Sequence, residues 1–142
     1  MKVYADTSFL VSLYCPDVNS PRAVREVRRS APAIMLTPLT ELELTNALEL
    51  RVYRREASSA EIRAARSEFQ KHIQEGFFSV AGIPVTAYEL AQRIAFRQTA
   101  ATGVRTLDIL HVASALLLRA EKFWTFDTRQ AKLAETEGLR LR

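Results

Sequence analysis

With 142 residues, 48% of them apolar and 25% charged, the chain has the length and composition of one domain that buries a core without disulfides or structural metal. The net charge of +4 comes from 16 arginines and only four lysines, a bias toward the planar fork that matches phosphate oxygens, so a polyanionic partner is expected. One cysteine, Cys15, excludes an internal disulfide framework and suits a reducing compartment. The opening stretch has no cleavage pattern and no apolar run long enough to span a bilayer, so the expectation is a cytoplasmic protein, residues 1–142 as one domain, with no membrane partner.

The first element is a strand over residues 2–5, followed by a short apolar helix in "SFLVSLY". Ser20 caps and Pro21 opens a helix to about Ser30, and "AIML" at 33–36 is a short buried strand. Thr37 caps a long helix with Pro38 in its first turn, ending near Arg55. "SSAE" at 58–61 is a capping box, with Ile62, Phe69 and Ile73 as the apolar stripe behind it. "FFSVAGI" is a third strand; "TAYE" at 86–89 reads as a second capping box, opening a helix to about Gln98, and "ATG" as a turn. Thr106 caps a helix to about Arg119, "KFWTF" is a fourth strand, residues 128–136 a short helix, and "LRL" at 139–141 a last small strand. Short apolar strands alternating with longer helices predict a parallel sheet covered on both faces, whose ligands bind beyond the carboxyl ends of the strands.

Aspartate is scarce: Asp6, Asp17, Asp108 and Asp127 are the only four. Asp6 ends the first strand, Asp127 follows the fourth, and Asp108 lies in the first turn of a helix, so these three can reach the same sheet edge. Glu43 joins them as a candidate because helical spacing puts it on a face with Leu39, Leu42, Asn46 and Leu50, whereas Glu41 falls beside Thr45 and Leu48. Each acid has a plainer role open to it: Asp108 as a partner of the helix dipole, Asp127 as a helix cap, Glu43 reaching water. Asp6 is the hardest to explain so, since Asp is depleted in strands.

Two like charges about 4 Å apart repel by roughly 4 kcal/mol at an effective dielectric near 20, so four converging carboxylates need a cation or bound protons. Oxygen ligands select hard ions, Mg²⁺ or Mn²⁺, with Asp6, Asp108 and Asp127 as the metal ligands. His72, His111 and Cys15 are too scattered for an ordinary zinc site; His111, three residues after Asp108, is either packed beside the site or part of it. Thr7, Ser8, Asn46 and Thr125 are placed to steady the acids. Arg51, Arg54, Arg97 and Arg105 are candidates for phosphate contact. Removing the negative charge at Asp6 or Asp108 by asparagine is expected to stabilise the metal-free protein.

Taken together, "ADTSFL", "LTPLTELELTNAL", "VRTLDILHVASAL" and "FWTFDTRQAKLAETEGLRL" resemble, over nearly the whole chain and in order, the PIN-domain ribonucleases, in particular the VapC toxins of toxin–antitoxin pairs. The resemblance implies a three-layer α/β/α fold with a central parallel sheet of about five strands. It also implies an endoribonuclease dependent on Mg²⁺ or Mn²⁺ that cuts structured RNA such as tRNA or rRNA by metal-activated water. By position, Asp6, Glu43, Asp108 and Asp127 would be the acidic site, with Glu41 competing for the place of Glu43. A homodimer and a small VapB-like antitoxin are implied as well. The competing reading is a PIN-like module that binds RNA or protein without cutting. A phosphotransferase with a nucleophilic aspartate is disfavoured, because the haloacid-dehalogenase pattern requires a second Asp where Ser8 stands and a response regulator requires paired acids and a lysine not found here.

Overall fold

The computed structural model describes residues 1–30 and 33–141. Its elements run β1 (Lys2–Ala5), α1 (Thr7–Tyr14), α2 (Ser20–Ser30), β2 (Ala33–Leu36), α3 (Pro38–Tyr53), α4 (Ser59–Gln74), β3 (Phe78–Val80), α5 (Thr86–Thr102), α6 (Thr106–Leu117), β4 (Lys122–Trp124) and α7 (Thr128–Thr136). The four strands form one parallel sheet in the order β3-β2-β1-β4, with Tyr4 opposite Met35 on one side and Phe123 on the other. The sheet departs from the expected five strands at its end, where "LRL" contributes only an isolated bridge between Arg140 and Lys122.

Alternation along the strands divides the core in two. Val3, Ala5, Ile34, Leu36 and Trp124 point to one face and pack with Phe9, Leu10, Leu44, Leu48, Ile62 and Phe69 of α1, α3 and α4. Tyr4 and Phe123 point to the other, against Ile94 of α5, Ile109, Val112 and Ala113 of α6, and Leu133 and Ala134 of α7. Helices therefore cover both faces, as a buried parallel sheet requires. No helix among the described residues is long and apolar enough to cross a membrane.

Local chemistry explains most boundaries. Thr37 caps α3 with Pro38 at its start, and Ser58 accepts from the Glu61 N–H while Glu61 returns a bond to the Ser58 N–H. Two expected caps are absent. Val85 already has helical dihedrals and Ala87 N–H bonds Pro84 O, so α5 begins before Thr86 can serve as a cap; at α6 the cap position is Arg105, again with no side-chain bond. Nor does α5 end near Gln98. Ala100 and Ala101, strong helix formers, carry it to Thr102, and Gly103 closes it at φ +65°, where its lack of a Cβ matters. The third strand is shorter than its apolar run, keeping only Phe78–Val80.

Candidate active site

At the carboxyl edge of the sheet lies an open cavity of about 640 Å³ bordered by Asp6, Glu43, Asp108 and Asp127, with Thr7, Ser8, Asn46, Arg105 and His111. Each acid arrives from a different element: Asp6 from the end of β1, Glu43 from the second turn of α3, Asp108 from the first turn of α6, Asp127 from the start of α7. Strand order explains why β1 delivers the deepest acid, since it lies between β2 and β4.

Asp6 is 3% exposed and works for the backbone as well as for the cavity. It is the N-cap of α1: its Oδ1 accepts from Phe9 N–H at 3.0 Å. Ser8 Oγ donates to its two oxygens at 2.8 and 3.1 Å, and Thr125 Oγ1 donates to Oδ2 at 2.8 Å. Among the described residues these partners are all neutral, and no cation forms a salt bridge with Asp6. Desolvation pushes its pKa up to about 6, only partly offset by Phe9 N–H, Thr125, Ser8 and the charge of His111.

Glu43 has the opposite balance. Burial alone would raise its pKa, but the hydrogen bond and charge of His111, then Thr7 and Arg105, hold it below the ordinary carboxylate value. His111, 1% exposed, meets Glu43 Oε2 through Nε2 in a short contact, and its Nδ1 lies 2.8 Å from Tyr4 Oη. Tyr4 Oη in turn sits 3.2 Å from Thr37 Oγ1, so a buried polar chain runs from the cap of α3 through β1 and α6 to Glu43. Desolvation pushes the Tyr4 phenol up to about 12. Thr7 Oγ1 donates to Glu43 Oε2 at 2.7 Å. His111 is thus a buried support of Glu43.

Arg105 bridges the other two acids, with Nε donating to Asp108 Oδ2 at 3.0 Å and a terminal nitrogen 3.7 Å from Asp127 Oδ2. Asp127 also caps α7, its Oδ1 accepting from the Arg129 and Gln130 N–H groups. The plainer role open to Asp127 is therefore real alongside its place at the cavity.

The structure corrects several details. Leu42 is 67% exposed and Asn46 is exposed too, so the leucine face that singled out Glu43 is not a buried face; the core side of α3 is Thr40, Leu44 and Leu48. Glu43 is at the cavity because α3 packs beside α1, whereas Glu41 is not among the cavity's lining. Arg97 pairs with Glu137 at 2.7 Å and Arg51 with Asp17 at 3.7 Å, and neither lines the cavity; Arg105 alone of the candidate arginines does. Asp17, set apart by the sequence reading, lines the cavity with Ser12 and Asn19. Burial raises its pKa, but Ser12, the Asn19 N–H and Ser20 outweigh this and hold it below the usual range. Its scarcity was the available signal. Gln130 also lines the cavity, and no sequence feature pointed to it.

The donor set suits a hard cation in kind: oxygen acids, and at Asp6 a buried negative charge without a salt-bridge partner. It is not gathered as a finished ligand cage, since among the described residues no three His, Cys, Asp or Glu side chains converge on one ion position. Arg105 engages one oxygen of each of two acids, Asp108 Oδ2 and Asp127 Oδ2, so a cation bound by Asp6, Asp108 and Asp127 would compete with the guanidinium for those two oxygens.

The comparisons agree with this architecture. No curated protein is similar enough in sequence to match the chain. Among solved structures, Mycobacterium tuberculosis VapC20, described as a sarcin-ricin loop cleaving toxin, matches with a TM-score of 0.71 at 17% identity, over 96% of this chain and 95% of its own. VapBC2 from Rickettsia felis, bound to a DNA fragment from its promoter, matches at 0.69 and 13% identity over 100% and 98%, and PAE2754 from Pyrobaculum aerophilum at 0.63 and 19% over 96% and 86%. At these identities the likeness is one of fold. Residues 3–136, from the strand that carries Asp6 to the last turn of α7, match the PIN domain, and the chain belongs to that family.

Proposed function

We propose that this protein is a divalent-metal-dependent endoribonuclease of the VapC type, the toxin of a toxin–antitoxin pair, cutting structured RNA such as tRNA or rRNA. The observation that carries the reading is Asp6: a nearly buried carboxylate held by three neutral donors, at a cavity edge shared with Glu43, Asp108 and Asp127. Mg²⁺ or Mn²⁺, when bound, would lower the pKa of a water and neutralise charge on the scissile phosphate. Asp6, Asp108 and Asp127 would hold the ion. Ser8 and Thr125 keep the Asp6 carboxylate in one orientation, and the Tyr4–His111 chain does the same for Glu43, which is held ionised and able to accept a proton. Arg105, freed from the acids, would meet a phosphate oxygen at the cavity mouth. A small VapB-like antitoxin and a homodimer complete the proposal, by analogy with the family and with the VapBC2 complex.

The test is cleavage of total RNA by purified protein. Cutting is expected with Mg²⁺ or Mn²⁺ and not with EDTA, and Asp6→Asn is expected to reduce it at least 10²-fold. A variant as active as the wild type, free of contaminating nuclease, refutes the catalytic assignment. The Arg105 ion pairs favour a second reading, a PIN-like module whose acids serve only to order α6 and α7; RNA binding with no cutting under any divalent metal would establish it. Expressing the chain with and without its genomic neighbour and sequencing the new RNA ends identifies both target and antitoxin.

A further inference from the structure

Gln130 is the group at the cavity whose hydrogen bonding does not close. Its side chain is 2% exposed, Nε2 has no partner among the described residues, and Oε1 lies 3.2 Å from Thr125 Oγ1. Thr125 has one hydroxyl proton and three acceptors within reach, Asp6 Oδ2 at 2.8 Å, Ser8 Oγ at 3.1 Å and Gln130 Oε1 at 3.2 Å. An ionised carboxylate at the shortest distance takes that proton. Ser8 supplies no substitute: its own proton goes to Asp6 Oδ1 at 2.8 Å, and its oxygen accepts from Phe126 N–H at 2.9 Å. Oε1 would then face a lone pair while Nε2 stays orphaned, two defects in a buried place. A half-turn of the amide removes the first of these and leaves Oε1, in place of Nε2, in the position without a partner among the described residues. Nε2 then donates to Thr125 Oγ1, whose remaining lone pair is free because the other accepts from Asp127 N–H at 3.0 Å.

We propose that Gln130 is a positioning residue of the acid cavity: its amide donates to Thr125 Oγ1 and thereby commits the Thr125 proton to Asp6, anchoring the carboxylate on its protein side. The proposal rests on the metal-dependent nuclease reading. It assigns Gln130 no contact with substrate; Gln130 acts on Asp6 only through Thr125.

The experiment measures Mn²⁺ affinity by calorimetry, and kcat and KM on RNA, for the full chain as wild type, Gln130→Met, Thr125→Val and the double variant. Gln130→Met keeps length and volume but removes the donor; it is expected to weaken Mn²⁺ binding by about tenfold, the lower end for groups that orient metal ligands, and to lower kcat with KM unchanged. Combined with Thr125→Val, the same substitution is expected to change Mn²⁺ affinity by less than about twofold, because the two side chains act as one unit. Additive losses overturn the proposal, as does a Gln130→Met protein with a lower melting temperature but unchanged Mn²⁺ affinity and kcat. If Gln130→Met does not fold, Gln130→Asn, which keeps the amide and shortens its reach, carries the same expectations. A wild type that neither binds Mn²⁺ nor cuts RNA refutes the nuclease reading and this inference with it. A wild type that does both, matched by its Gln130 variants, refutes the Gln130 assignment alone.

Discussion

Asp6 does two jobs that conflict. As N-cap of α1 it stabilises a helix end, while its buried charge opposes folding. Because its folded pKa is raised from 3.8 to about 6, the folded state holds the proton more tightly than the unfolded chain, and stability falls as pH rises through that window. Above it, the ionised group costs at most about 3 kcal/mol, from a shift of about two units at 1.36 kcal/mol each. Asn caps a helix about as well as Asp, and its Nδ2 can donate to Thr125 Oγ1. In EDTA at pH 7.5, Asp6→Asn is therefore expected to melt above the wild type, with the gap closing near pH 4; calorimetry at both values checks it, and a variant that melts lower at pH 7.5 contradicts it. Asp108 differs, because Arg105 already neutralises it. That guanidinium is 70% exposed, so the ion pair is weak, and Asp108→Asn is expected to shift stability by less than about 1 kcal/mol in either direction.

The polar chain from Thr37 through Tyr4 and His111 to Glu43 joins α3, β1 and α6, and no single element contains it. Tyr4→Phe leaves His111 Nδ1 without its buried partner, while the Thr37 hydroxyl keeps Thr40, so a loss of about 1–3 kcal/mol is expected in urea denaturation. Activity should fall with it, since Glu43 loses the support behind its partner. The helix ends respond more modestly. Ser58→Ala removes one half of a reciprocal cap and should cost about 1 kcal/mol with cutting unaffected, because α4 does not border the cavity.

The whole molecule is a sheet with a core on each face and an acid-lined cavity at one edge. A cation bound only by the folded chain stabilises it by mass action, so the melting temperature is expected to climb with the logarithm of Mn²⁺ concentration above the dissociation constant, and far less in Asp6→Asn. RNA binding, drawn by an excess of basic residues, should weaken as salt rises. A flat melting temperature across Mn²⁺ concentrations would contradict the cation's place at Asp6.

Local pattern determined much of this protein. Apolar strands between capped helices announced a parallel sheet, and an aspartate after β1 and another after β4 announced the edge where the acid-lined cavity lies, because side-chain period and strand direction are properties of short segments. The boundaries at Thr86 and Gln98 depart from local pattern because of a turn begun at Pro84 and the left-handed backbone of Gly103. What only the tertiary structure decided was company. Glu43 faces the cavity although its own helix offers no buried leucine face there, Asp17 joins the other aspartates, Arg105 rather than Arg51 or Arg97 stands at the mouth, and Gln130 meets Thr125. Those relations link residues far apart in the chain through the packing of α1, α3, α6 and α7 around β1, and spacing within any one segment carries no record of them.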